Sequence, residues 1–288
     1  MKRFKPSVLG LILLGSGCSD QEFLVRLNNS VAVTVGDFDE VAAPLNRMVV
    51  KHTDYDGVIS TTTWNPNYTG SSALSVEGLF GDLGEMMEHD AIFVASGTRG
   101  LGARQYNGLS EDSQIVASPE AVENVREFVA RGNTLLVTDW GYDLVEATWP
   151  DYVTFAGEET GLDAAQRGSE GDIQAVVSDE VLATAIETDS IELSYNFSNW
   201  AVIESVREDV RVLMRGDVTY LDPSGIGTVS LSQVPLLIQF EPPGGLEGQV
   251  VFSTFHMDAQ NAFVVDETLR TVVGRFKEND PEAVGYMP

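Results

Sequence analysis

Cysteine is nearly absent: Cys18 is the only one in 288 residues. A single thiol excludes an internal disulfide and a thiolate-built metal centre. Cationic residues are also scarce, with 17 Lys and Arg against 44 Asp and Glu and a formal net charge of −27. Nucleic acid is therefore excluded as a partner, because neutralising phosphates requires clustered Lys and Arg. No apolar run is long enough to span a bilayer, and neither an internal repeat nor a low-complexity tract is present. Histidine occurs three times, at His52, His89 and His256, which leaves few candidates for a general base.

What is present begins at the N-terminus. Lys2, Arg3 and Lys5 form a basic region, Val8 to Leu14 an apolar one, and Gly15-Ser16-Gly17 a small-residue cleavage zone, the three parts of a secretory signal. The run Leu14-Gly15-Ser16-Gly17-Cys18 resembles the lipobox of bacterial lipoproteins, although Leu14 stands four residues before the cysteine where that family places it three before. The resemblance implies diacylation of Cys18, attachment to the cell envelope, and, because Ser19 rather than an aspartate follows, sorting to the outer membrane of a Gram-negative bacterium. Stable attachment needs more than one acyl chain, which lipoproteins of this kind carry. Residues 1–17 are then a signal peptide and 18–30 a lipidated tether. Loss of Lys2, Arg3 and Lys5 with the signal deepens the net charge to −30. The acidic residues are spread along the chain, as in a solvated, self-repelling surface.

At 43% hydrophobic and 9% aromatic residues, the remainder can bury a large core. Residues 31–276 read as one α/β domain and 277–288 as a tail. Val31 to Val35 is a buried strand followed by the acidic loop Asp37-Phe38-Asp39-Glu40 and a helix over Val41 to Val50, with its acidic residues placed for the helix dipole. An edge strand is expected at Thr61 to Trp64 and a short helix over Val76 to Met87. Ala91 to Ala95 is a strand ending in the glycine-rich Ser96-Gly97-Thr98-Arg99-Gly100. Ser118-Pro119-Glu120 starts a helix that Gly132 ends. Thr134 to Thr138 is the next buried strand, and a helix follows at Leu144 to Thr148. The pattern weakens from Pro150 to Val181. Short apolar runs at Ile191 to Tyr195, Trp200 to Val206, Val210 to Met214 and Pro235 to Phe240 read as strands, several of them antiparallel. Gly248 to Phe255 is the last strand, running into His256, and Asp266 to Phe276 a closing helix. The fold class is α/β: a mostly parallel open sheet flanked by helices, with antiparallel strands added in the C-terminal half.

The strand Asp90 to Val94, the glycine-rich loop, the helix ending Phe128-Val129-Ala130-Arg131-Gly132, the strand Leu135 to Asp139, and His256 just past a late strand resemble class I glutamine amidotransferase-like domains. In that family a cysteine at a sharp turn after a central strand pairs with a histidine after a later one. The matching turn here is Thr138-Asp139-Trp140-Gly141, which holds no cysteine, so only His256 carries over. Glutamine hydrolysis by a thiolate is excluded.

Loops at the carboxyl ends of neighbouring parallel strands converge on one crevice. They are expected to bring together Asp37, Asp39 and Glu40, then Ser96, Thr98 and Arg99, then Asp139 and Asp143, and last His256 and Asp258. Asp37, Asp39, Asp139, His256 and Asp258 are the candidate ligands for a divalent cation, calcium or magnesium on oxygens or zinc with the imidazole. Sharing one ion would require Asp37, Asp139 and His256 to converge; the plainer expectation is that Asp37 and Asp139 cap helices. Ser96 or Thr138 is a candidate nucleophile with His256 as base, oriented by an aspartate, for which Asp139 is a candidate, although Ser96 lacks the glycine two residues earlier expected of a nucleophile elbow. Trp140, Tyr142, Trp149 and Tyr152 are core residues or, if exposed beside the crevice, a platform for a glycan. The leading expectation is a binding or scaffolding lipoprotein without catalysis, its membrane contact made through lipid and its envelope protein or glycan ligand unnamed. The competing one is a metal-assisted or serine hydrolase.

Overall fold

Three successive buried residues, Val31, Ala32 and Val33, make the strand Ser30–Thr34 (β1) apolar on both faces, the pattern of a strand covered on two sides by helices. The computed structural model describes residues 30–56, 74–101, 104–106, 109–111, 115–157, 165–222 and 226–278. His89–Val94 (β3), Thr134–Thr138 (β6) and Gln249–Ser253 (β13) share that composition. With His52–Tyr55 (β2) they form five parallel strands in the order β2-β1-β3-β6-β13.

Beyond β13 the same sheet continues with four antiparallel strands. These are Thr228–Phe240 (β12), Arg211–Leu221 (β11), Gly171–Val177 (β8) and Ser190–Tyr195 (β9). The mixed α/β architecture expected from the sequence is thus present, and its antiparallel half lies where the short C-terminal runs are found. Two small pairs stand apart from the main sheet, Arg104–Tyr106 (β4) with Leu109–Glu111 (β5) and Val153–Phe155 (β7) with Ile203–Val206 (β10).

Helices cover both faces. Ala42–Arg47 (α1), Glu180–Ala185 (α6) and Ala262–Glu278 (α7) bring Leu45, Leu182, Leu269 and Val272 against Val31, Val33, Phe93, Leu136 and Val251. On the other face Val76–Gly81 (α2), Leu83–Met86 (α3), Pro119–Ala130 (α4) and Tyr142–Thr148 (α5) pack Phe80, Met86, Phe128 and Val145 against Ile92, Val94, Leu135, Val137 and Phe252. Each such side chain contributes about 1.5–3 kcal/mol when fully buried. The start of α4 follows the sequence signal: Ser118 Oγ accepts from Ala121 N–H, and Pro119 occupies the first turn.

Several elements differ from the sequence reading. The helix expected over Val76 to Met87 is two, because Asp82 is extended (φ −129°) and its carboxylate caps the second through Gly84 N–H. The strand β2 lies earlier than the edge strand expected at Thr61 to Trp64, which falls outside the described residues, as do Cys18, the signal and nearly all of the tether. β7 and β8 stand in the stretch read as irregular, and α6 begins at its end. The alternating burial of β8 is confined to its last residues, Ala175 and Val177, behind the exposed Gly171, Asp172 and Gln174. Among the described residues no helix is long and apolar enough to cross a membrane.

Candidate functional site

The carboxyl ends of β1, β3, β6 and β13 deliver four loops to one corner, and the sequence candidates divide there into a buried group and a rim. Ser96, Asp139, His256 and Asp39 are all buried, at 0%, 1%, 4% and 3% exposure. His256 Nε2 lies 3.0 Å from Asp139 Oδ2. Ser96 Oγ donates to the same oxygen at 3.3 Å, and Asp139 Oδ1 accepts from Ala201 N–H at 2.6 Å. Both oxygens of Asp139 are therefore engaged.

Local backbone chemistry explains why Asp139 sits there. It follows β6 directly and adopts φ 39°, a left-handed conformation that Asp tolerates better than branched residues but that still costs about 1–2 kcal/mol. The chain then makes one 3₁₀ turn, Asp139–Gly141, into α5. A side chain at Gly141 would meet Val137 Cγ1 at 2.4 Å, so the turn can close on the strand only with glycine there. The expectation that Asp139 caps a helix fails; its carboxylate points across the corner to His256 and Ala201.

Asp39 was expected near a helix N-terminus, and α1 has no side-chain cap. Its oxygens instead accept from Met257 N–H at 3.1 Å each and from Asp258 N–H at 3.3 Å. These contacts tie the loop after β1 to the loop after β13. Burial pushes the Asp39 carboxyl up to about 6, with His256, Thr138 and the Met257 N–H opposing the rise. For His256, burial acts downward, but the hydrogen bond and charge of Asp139, helped by Asp39 and Asp258, outweigh it and raise its pKa. Burial raises Asp139, against the pull of His256, Ala201 N–H and Ser96.

Asp37 takes no part in this group. It pairs with Arg99 at 3.0 Å on the rim, both side chains partly exposed. The loops that carry it are pressed together: Gly36 and Thr98 form an isolated bridge, and a Cβ at Gly36 would lie 2.2 Å from Ser96 O. Asp258 is exposed. Among the described residues, no three His, Cys, Asp or Glu side chains are grouped so as to hold a metal ion. The donor set does not fit a divalent cation, because the lone pairs such an ion needs face N–H and O–H donors. Nor is a serine relay assembled, since Ser96 Oγ donates to Asp139 and not to His256.

Aromatic rings close the corner. Phe38 packs on Trp140 and Phe197 with ring centroids 4.8 and 4.7 Å apart, and Phe197 lies 6.1 Å from His256. Trp140 Nε1 donates to Asn199 O at 2.8 Å, fastening the turn that bears Phe197. Of the four aromatics proposed from sequence as core or platform, Tyr142, Trp149 and Tyr152 are buried at 6% exposure or less. Only Trp140 reaches the corner. Phe38 and Phe197 were missed by sequence reasoning. Phe38 carried a signal, an apolar ring between two acids in the loop after β1; Phe197 carried none, because nothing local says that the loop after β9 folds over β6.

The remaining histidines pack. His89 Nε2 is 2.8 Å from Tyr55 OH, which donates to Glu85 at 2.6 Å, and His52 lies 3.4 Å from Asp54.

No protein-family model matches the chain, and no curated protein matches it. Solved structures do. The N-terminal domain of mmIFT52 is similar at 10% identity and a TM-score of 0.51, over 85% of this chain and 97% of that one. A ThuA-like protein from Bacteroides uniformis is similar at 10% identity and a TM-score of 0.50, over 94% and 99%. A glutamine amidotransferase from Thermotoga maritima aligns at 10% identity with a TM-score of 0.43, over 88% and 87%. At such identity the likeness is one of fold, and it places the chain among mixed α/β domains with a largely parallel central sheet.

Proposed function

We propose that this chain is a non-catalytic binding or scaffolding protein of the cell envelope, held by lipid on Cys18. One observation carries the reading: the corner where such sheets place their chemistry is filled by the buried Asp139–His256 pair, whose carboxylate is fully engaged and beside which Phe197 packs, itself seated on Phe38. A catalytic carboxylate or imidazole has to reach a substrate. With Phe197 in place these groups are covered, and they join β6, β13 and the loop after β9.

Two measurements test the reading. Labelled palmitate is expected to enter wild type and not Cys18→Ala, with the wild type fractionating with outer membranes. Hydrolysis of p-nitrophenyl acetate, p-nitrophenyl phosphate and a p-nitroanilide by the purified domain is expected to equal that of His256→Ala. A wild-type rate above that variant would refute the non-catalytic assignment.

The hydrolase reading retains one observation of its own. Asp139 holds a positive φ at a strand-to-helix turn, and backbone strain of that kind gathers at functional sites. It would require an opening of the aromatic cover.

A further inference from the structure

We propose that the crevice beside His256 is a lidded binding site for a neutral hydroxylated ligand, a sugar ring or polyol, with Phe197 as its lid. The proposal rests on the non-catalytic reading only in taking His256 as a binding group.

His256 supplies the first observation. Its Nε2 is committed to Asp139, while its Nδ1 is buried with no hydrogen-bond partner. Native proteins keep few such groups, and each calls for an explanation. His256 lines a crevice with Tyr195, Asn196, Phe197, Trp200, Thr254 and Phe255 that is too narrow to seat a water molecule.

The walls are of two kinds. Tyr195 is anchored through its hydroxyl to Thr254 Oγ1 at 2.8 Å, and Trp200 through Nε1 to Ser169 O at 2.9 Å. Phe197 is held by no such bond; it is 40% exposed and rides on a turn whose Asn199 has φ 66°. Rotation of an exposed side chain is fast, so the Phe197 ring can leave the mouth while the back wall stays in place.

The chemistry of the recess selects its occupant. The walls are largely aromatic, with Asn196, Thr254 and His256 as polar residues among them, a composition suited to a small ligand with apolar faces and a few hydroxyls. A hydroxyl both donates and accepts, so it pairs with Nδ1 whether His256 is neutral or charged; a carbonyl serves only the charged form. Exposed Asp258, two residues from His256, and the net charge of −27 oppose an anion.

The test uses the folded domain with glucose, N-acetylglucosamine and glycerol as probes, read by tryptophan fluorescence and by imidazole nitrogen NMR. Saturable binding of at least one probe is expected at about millimolar Kd, moving the Nδ1 signal of His256 but not those of His52 and His89. Phe197→Ala, a surface change that leaves the buried pair intact, is expected to weaken that binding about tenfold. Failure of all three probes to bind, or binding that leaves Nδ1 and the Phe197→Ala affinity unchanged, overturns the proposal. Release of p-nitrophenol from p-nitrophenyl glucoside, followed in parallel, would refute the non-catalytic assignment while leaving the binding site standing.

Discussion

Replacing Asp139 by alanine separates a structural corner from a catalytic one. The change removes the acceptor of three buried donors at once: His256 Nε2–H, Ala201 N–H and Ser96 O–H. Breaking a buried charged pair by deleting one partner costs about 3–5 kcal/mol, and a buried N–H left unpaired adds about 1–3 kcal/mol. The backbone at φ 39° gains nothing in return, because alanine is no better suited to that region. A loss of about 4–8 kcal/mol is expected, which at roughly 2–4 °C per kcal/mol lowers Tm by about 8–32 °C. Asp139→Asn, which keeps an acceptor for Ala201 N–H, is expected to lose roughly half as much. Urea and thermal unfolding followed by circular dichroism measure both. A Tm for Asp139→Ala equal to or above wild type would show the carboxylate to be held against stability, as functional groups are, and would sink the structural reading.

The other expectations concern pH and backbone. Asp39 has a folded pKa of about 6 against 3.8 unfolded, so its contribution is fully present below pH 4 and is lost as pH rises through 6. His256, raised above 6.5, loses its contribution as pH rises past its folded value. Asp39 alone is therefore expected to withdraw about 3 kcal/mol as pH rises from about 4 to about 7, and Asp39→Asn is expected to flatten that slope; a profile rising over this range would contradict it. Gly36→Ala puts a methyl 2.2 Å from the backbone oxygen of Ser96 and is expected to destabilise by about 1–3 kcal/mol or more while quickening backbone exchange of the Asp37 to Asp39 loop. Val49 is β-branched, 76% exposed and held at φ 59°, so Val49→Gly is expected to raise stability by about 0.5–1 kcal/mol; a lower denaturation midpoint would refute this.

The central parallel strands were legible because they are buried on both faces and read as unbroken apolar runs. Thr134–Thr138 agrees with its reading to the residue, and α4 carries its cap and stop in Ser118, Pro119 and Gly132. The antiparallel half was harder to delimit. β12 begins at Thr228, seven residues before the apolar run at Pro235, because its first half is largely exposed and hydrogen-bonded to β11 through polar residues. At the site, Asp139 and His256 were expected on one rim because each follows a parallel strand at its carboxyl end, and the adjacency of β6 and β13 brings them together. The exchange of Asp37 for Asp39 did not follow. Both acids sit in the same loop, and only the backbone N–H groups of Met257 and Asp258, supplied from 218 residues away, decide which one turns inward. Phe197 was hidden for a similar reason, since its ring partners Phe38 and His256 come from the loops after β1 and β13.

The position of β13 within the sheet has a consequence for the order in which this protein can form. It pairs in parallel with β6 on one side and antiparallel with β12 on the other, and among the described residues this strand joining the two halves is the last to be made. Until residues 249–253 arrive, β6 and β12 each present an open edge, the kind of surface that recruits another chain. The hairpin of β11 and β12 depends on neighbours in sequence and can precede this step, whereas the parallel half depends on distant pairings, which are slow. Insertion of β13 also brings His256 to Asp139. A chain cut before residue 249 is thus left with two unjoined half-sheets, and a fragment of residues 249–278 supplied in trans should join them.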